Sequence, residues 1–64
     1  MNKKQFEGII NKYVTFQIHT EEYISRDINS DMVDFLADGL ICIHEHKDII
    51  IHLKDIKRID GVRI

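Results

Sequence analysis

Residues 39–59 read GLICIHEHKDIIIHLKDIKRI, and the fold turns on how their isoleucines alternate. Ile41 and Ile43 are interleaved with Cys42 and His44, while Ile49, Ile51 and Leu53 are interleaved with Ile50, His52 and Lys54. A period of two marks strands whose successive side chains face opposite sides. Two such runs around a polar stretch predict an antiparallel hairpin. Turning both apolar sets to one face places Ile43 opposite Ile51 and Ile41 opposite Leu53, with His46, Lys47 and Asp48 as the loop. A two-residue loop at Lys47-Asp48 slips the pairing by one and mixes the faces, so the longer loop is preferred.

In that register the face turned from the core carries Cys42 directly across from His52, with His44 as the diagonal neighbour. Cβ atoms in such pairs lie about 5 and 7 Å apart, within reach of one zinc-like ion. Cys42, His44 and His52 are therefore the candidate metal ligands. Against them stands a plainer reading as polar residues on a second sheet face, since no CxxC or HExxH framework accompanies them. Ile50 shares that face and would meet water in a monomer, which makes it the candidate subunit-interface residue. His44-Glu45-His46 reads as a solvated hairpin tip, because no nucleophile, glycine-rich loop or second carboxylate is arranged around it. Neither an enzyme nor a cofactor is expected.

Outward from the hairpin, Phe6, Ile9 and Ile10 have helical spacing behind Asn2 as a cap, which predicts a short N-terminal helix. "KYVTFQIHT" alternates, with Val14, Phe16 and Ile18 facing one way and Tyr13, Thr15, Gln17 and His19 the other. "EEY" predicts a turn and "YISRDI" a second strand with Ile24 and Ile28 on one face. Residues 30–39 fit two readings. As a helix, they run from a cap at Ser30 or Asp31 to Gly39. As a strand, they turn Val33, Phe35 and Ala37 inward and close on Asp38-Gly39 as a type I′ turn; the strand is preferred because β-structure flanks it. "KDI" after Leu53 predicts a tight turn, and "KRIDGVRI" a last strand around Ile59.

The chain has 64 residues, no proline, three glycines and one cysteine. That length allows one domain, residues 1–64, and buries only about 60% of the surface an unfolded chain exposes. Small domains without staples gain stability by self-association. A single cysteine excludes an internal disulfide and suits a reducing compartment. "MNKKQFEGII" has no apolar core of a secretory signal, and no run approaches the ~18 apolar residues of a membrane span, so the expected location is the cytoplasm, without a membrane partner. Net charge is −2, which removes any global attraction to nucleic acid. Basic residues nonetheless crowd the C-terminal end as Lys54, Lys57, Arg58 and Arg63, whereas Asp27, Asp31, Asp34 and Asp38 occupy the middle. The aspartates lack the spacing and central glycine of an EF-hand and read as solvated charges.

A helix running into a strand in "NKKQFEGIINKYVTFQIHT", and a strand, short turn and strand in "IIIHLKDIKRI", resemble the Sm-like small β-barrels, in particular the Hfq-type RNA chaperones and related SH3-like barrels. The resemblance implies a mainly β, SH3/Sm-like antiparallel barrel of about five short strands with a short N-terminal helix. It also implies a ring-shaped homo-oligomer joined through exposed strand edges, and an RNA-binding role. His52-Leu53-Lys54 stands where that family carries a Tyr-Lys-His run, and Ser25-Arg26 where it has a glycine in strand two. Lys54, Lys57, Arg58 and His52, with Tyr13 for base stacking, are the candidate single-stranded-RNA residues. A solubilising, lysine-guarded strand edge is the plainer reading of the same charges. The expected function is thus a non-enzymatic oligomeric binding module: an RNA-binding adaptor, or alternatively a protein-interaction or structural module that docks a partner through its sheet face or edge strand.

Overall fold

In a computed structural model that describes residues 1–64, the chain runs through one helix and five strands: α1 (Lys3–Ile10), β1 (Tyr13–His19), β2 (Val33–Phe35), β3 (Leu40–His44), β4 (Asp48–His52) and β5 (Arg58–Arg63). They form two antiparallel sheets, β1–β5 and β2–β3–β4, which do not close into a barrel. Between them lies a core of Phe6, Ile10, Phe16, Ile18, Ile28, Val33, Ile41, Ile43, Leu53 and Ile56. No helix is long and apolar enough to cross a membrane.

The helix forms where the spacing predicts it. The Asn2 side chain accepts from the Gln5 amide while Gln5 accepts from the Asn2 amide, so two orphan donors of the first turn are satisfied together. Phe6 and Ile10 are buried beneath it. The Phe6 ring meets Phe35 of β2 edge-to-face, with centroids 5.8 Å apart. That contact ties the helix to the three-stranded sheet. Gly8 faces open space, so its helical position carries only a propensity cost.

β1 alternates as expected at Phe16 and Ile18, which are buried, but Val14 is 56% exposed. A register shift between Tyr13 and Thr15 is responsible: this bulge sets Tyr13, rather than Val14, against the core. Gly61 of β5 lies under the Tyr13 ring. A Cβ there would sit 2.6 Å from Tyr13 Cγ and 2.7 Å from the Thr15 carbonyl oxygen, so only glycine fits.

The strand expected at "YISRDI" is reduced to two isolated bridges, Phe16 with Ile28 and His19 with Ile24. Ser25 interrupts the ladder. It is buried, and its Oγ accepts the Ile18 amide at 2.8 Å and donates to the Arg26 carbonyl at 2.9 Å. A side chain thus takes a donor that a regular ladder gives to a carbonyl. The chain turns there, burying Ile28 and leaving Ile24 exposed.

Residues 30–39 follow the strand reading only over Val33–Phe35. A 3₁₀ turn at Ser30–Met32, capped by Asn29 and not by Ser30 or Asp31, precedes it. Ala37, expected inward, is exposed within a second turn. Asp38 and Gly39 both have positive φ, 61° and 74°, as type I′ geometry demands. The Leu40 amide donates to the Ala37 carbonyl and the Leu36 amide to the Leu40 carbonyl, so the connection holds one residue more than the tightest hairpin.

The β3–β4 hairpin keeps the expected faces and loop length but shifts the register. Ile41 pairs with Ile51, Cys42 with Ile50, Ile43 with Ile49, and His44 with Asp48; the loop is Glu45, His46 and Lys47. Ile43–Ile51 and Ile41–Leu53 pairing is therefore corrected by two positions. A two-residue slip leaves every side chain on its own face, so alternation does not choose between the registers. Polar contacts favour the observed one: His44 bonds Asp48 across the pair, and Glu45 accepts from the Tyr23 hydroxyl and the Arg26 amide. Leu53 leaves the strand, opens a 3₁₀ turn over Leu53–Asp55 and is buried in the core.

A candidate cation-binding cluster and the free strand edges

The outer face of the three-stranded sheet gathers its polar residues around His44. Asp34 of β2 lies across from Cys42 of β3, and Asp48 of β4 across from His44. His44 Nδ1 is 2.8 Å from Asp48 Oδ1, and Nε2 is 2.7 Å from Asp34 Oδ2. Carboxylates only accept, so an imidazole bonded to both donates from both nitrogens and is held as the cation. The two hydrogen bonds, that from Asp48 foremost, raise the His44 pKa above the ordinary imidazole value. Cys42 Sγ lies 3.9 Å from His44 Nδ1 and is buried although it faces away from the core. Burial first, then the charges of Asp48 and Asp34, push its thiol pKa up. Such a cysteine is the reverse of an activated nucleophile.

The register does not place His52 opposite Cys42, the position that alternation predicted for it. His52 lies across from Leu40, while Ile50 takes the place opposite Cys42. The donor atoms that converge belong to Cys42, His44 and Asp48, all within 4.8 Å of one another. Asp48 is legible only after the register is known, because the expected loop placed it outside the strand pair. Asp34 is legible only once residues 33–35 are known to be a strand.

The candidate RNA residues fall into two places. His52, Lys54, Lys57 and Arg58 are exposed and follow one another from the end of β4 to the start of β5. Arg58 Nε is paired with Asp60 at 2.9 Å. Lys57 shares a groove of about 290 Å³ with Thr20, Glu21, Glu22 and Asp55, so acidic groups interrupt the basic run. Tyr13 is at the other end of the β1–β5 ladder: it pairs with Arg63, whereas Arg58 pairs with His19. Six residues of strand put about 20 Å between those ends, and the Tyr13 ring is packed over Gly61. Tyr23 is also committed: burial and its bond to Glu45 raise its pKa, and its ring packs on the core.

His19, placed by alternation on the outer face of β1, meets Asp60 of β5, a partner the sequence does not announce. Its Nε2 lies 3.1 Å from Asp60 Oδ2, close enough for an ion pair, but without hydrogen-bond alignment. Asp60 thereby joins His19 of β1 to Arg58 of β5, two residues along β5 from their ladder pairing.

The outer edges of β2, β4 and β5 have no strand partner. Residues 48–52 make no backbone hydrogen bond outside the β3–β4 ladder, and residues 58–63 none outside β1–β5. Ile50 on β4 is 59% exposed and Val62 on β5 is 64% exposed. The core-facing residues of these strands, Ile49, Ile51 and Ile59, pack on the core yet stay partly exposed. No protein-family model, curated protein or solved structure matches the chain.

Proposed function

We propose that this chain is a non-enzymatic binding module of open Sm/SH3-like architecture that assembles as a homo-oligomer through its β4 and β5 edges. One observation carries the reading: of the unpaired edges, those of β4 and β5 belong to the strands whose inward isoleucines, Ile49, Ile51 and Ile59, are incompletely covered. Edge pairing between copies satisfies the free backbone groups and covers Ile49, Ile51 and Ile59 in the same step. Because the β4 edge of one copy meets the β5 edge of the next, the contact is heterologous, and such contacts generate rings where the rotation closes. Support for a barrel-like arrangement comes from β1 pairing with β5, the first strand with the last, and from the bridges that hold residues 24–28 beside β1. The raised thiol pKa of Cys42 argues against nucleophilic chemistry.

Light scattering tests this reading directly. The expected mass is a multiple of the 7.6 kDa chain, and Ile50→Asp lowers it by placing a charge beside the β4 edge. A wild-type mass of one chain across the accessible concentration range refutes the assembly. An unchanged mass for a folded Ile50→Asp variant removes Ile50 from the interface.

A second reading, RNA binding by the assembled module, draws on His52, Lys54 and Lys57, which are exposed and enter no ion pair. Repeated around a ring, they line a basic track, although Glu21, Glu22 and Asp55 beside Lys57 weaken it. Filter binding of oligo(U) and oligo(A) separates the readings. RNA contacts weaken steeply with salt, whereas docking of a protein strand on a free edge does not.

A further inference from the structure

We infer that Cys42, His44 and Asp48 form a binding site for a divalent transition-metal cation of the zinc class, with Asp34 orienting His44. The site is new relative to the assembly proposed above and does not depend on it.

The donor chemistry is of the right kind. A thiolate, an imidazole nitrogen and a carboxylate oxygen are the three ligand types zinc takes, and a borderline-soft ion suits a set with one sulfur. The geometry is close to what such an ion needs. Bonds of about 2.0–2.3 Å at tetrahedral angles separate neighbouring ligand atoms by roughly 3.3–3.6 Å. Here Cys42 Sγ to His44 Nδ1 is 3.9 Å, His44 Nδ1 to Asp48 Oδ1 is 2.8 Å, and all three donors lie within 4.8 Å of one another. The observed separations bracket that spacing, and all three donors lie on side chains of one paired ladder.

The scaffold is also suitable. Cys42 and His44 are alternate residues of β3, and Asp48 is the cross-strand partner of His44, so all three stand on one face of a paired ladder. Asp34 completes the design from the neighbouring strand. Its Oδ2 holds His44 Nε2 at 2.7 Å, which leaves Nδ1 to face Cys42 and Asp48. A carboxylate on the far nitrogen of a ligating histidine fixes ring orientation and tautomer in metal sites generally. Two aspartates bordering one buried thiol supply the negative field that favours a dication.

Charge and protons balance. Loading the ion releases two protons to solvent, one from the Cys42 thiol and one from His44 Nδ1, while Nε2–H stays with Asp34. Asp48 exchanges its bond to the imidazole for one to the metal. Three protein ligands leave a fourth position on the exposed side, where water completes a tetrahedron.

The test is cobalt(II) titration of the full chain, untagged and pre-treated with chelator, followed by zinc competition. One equivalent of cobalt is expected to produce a thiolate-to-cobalt charge-transfer band and tetrahedral visible absorption, and zinc to displace both. Cys42→Ser removes the charge-transfer band, Asp34→Asn weakens binding by about 10–100-fold at unchanged stoichiometry, and His52→Ala leaves the titration as in wild type. Absence of the thiolate band in wild-type protein at several equivalents of cobalt overturns the inference. So does a band that survives in Cys42→Ser, or one that His52→Ala abolishes. The wild-type result alone decides if a variant fails to fold.

Discussion

Both ring nitrogens of His44 face carboxylates, and this sets a pH dependence with a definite sign. The folded protein holds the imidazolium more tightly than the unfolded chain does, so the His44 pKa is raised on folding. Stability from this group is fully present below the unperturbed value of about 6.5 and is lost as pH rises through the folded pKa. In chelator-treated protein, urea midpoints should fall from about pH 6.5 upward, and His44→Asn should flatten that segment of the profile. A wild-type midpoint that rises across the same window would reverse the assignment. At the same scale, two glycines should answer oppositely to alanine. Gly61→Ala drives a Cβ into Tyr13 and the Thr15 carbonyl and should cost about 1–3 kcal/mol. Gly8→Ala meets nothing and should stabilise the helix by about 1 kcal/mol. Chemical denaturation measures both, and equal effects would contradict the packing described. Cys42 and His44 were legible as a pair because alternation alone puts them on one face. Asp34 and Asp48 were not, since each needs the partner strand before its side chain has a neighbour.

Among the elements, those set by local chemistry were read from sequence and those set by competing hydrogen bonds were not. Asn2 announces the helix start, Asp38-Gly39 supplies two positive-φ residues, and the inward isoleucines of β3 and β4 fall on the expected face. Hairpin register escaped because a slip of two preserves that face, and the choice rests on His44–Asp48 and on Glu45 bonding to Tyr23 and Arg26. Residues 24–28 escaped for a different reason. Nothing in "YISRDI" reveals that Ser25 will be buried and will accept the Ile18 amide. Ser25→Ala leaves that donor unpaired and should lower stability by about 1–3 kcal/mol. Urea titration against wild type is the check. A loss below about 0.5 kcal/mol would mean that the Ile18 amide finds another acceptor at little cost.

Across the whole molecule, two sheets, one helix and a shared core leave the outer edges of β2, β4 and β5 unpaired, and the margins at β4 and β5 carry the incompletely covered isoleucines. Sequence pattern gave the mainly β character, because isoleucine alternation is a local signal. Whether the sheets close is decided by contacts between strands far apart in the chain, and no period reports them. The groove lined by Glu21, Glu22, Asp55 and Lys57 is likewise a product of folding, which brings acidic residues next to a basic run. The central claim is that the free margins pair between copies. Amide hydrogen exchange, followed residue by residue as protein concentration is raised, tests it most directly. The outward-pointing amides of Asp48–His52 and Arg58–Arg63 should gain protection together as copies associate, while those of the loop Glu45–Lys47 stay fast. Equal and rapid exchange of both edges at every concentration would contradict it.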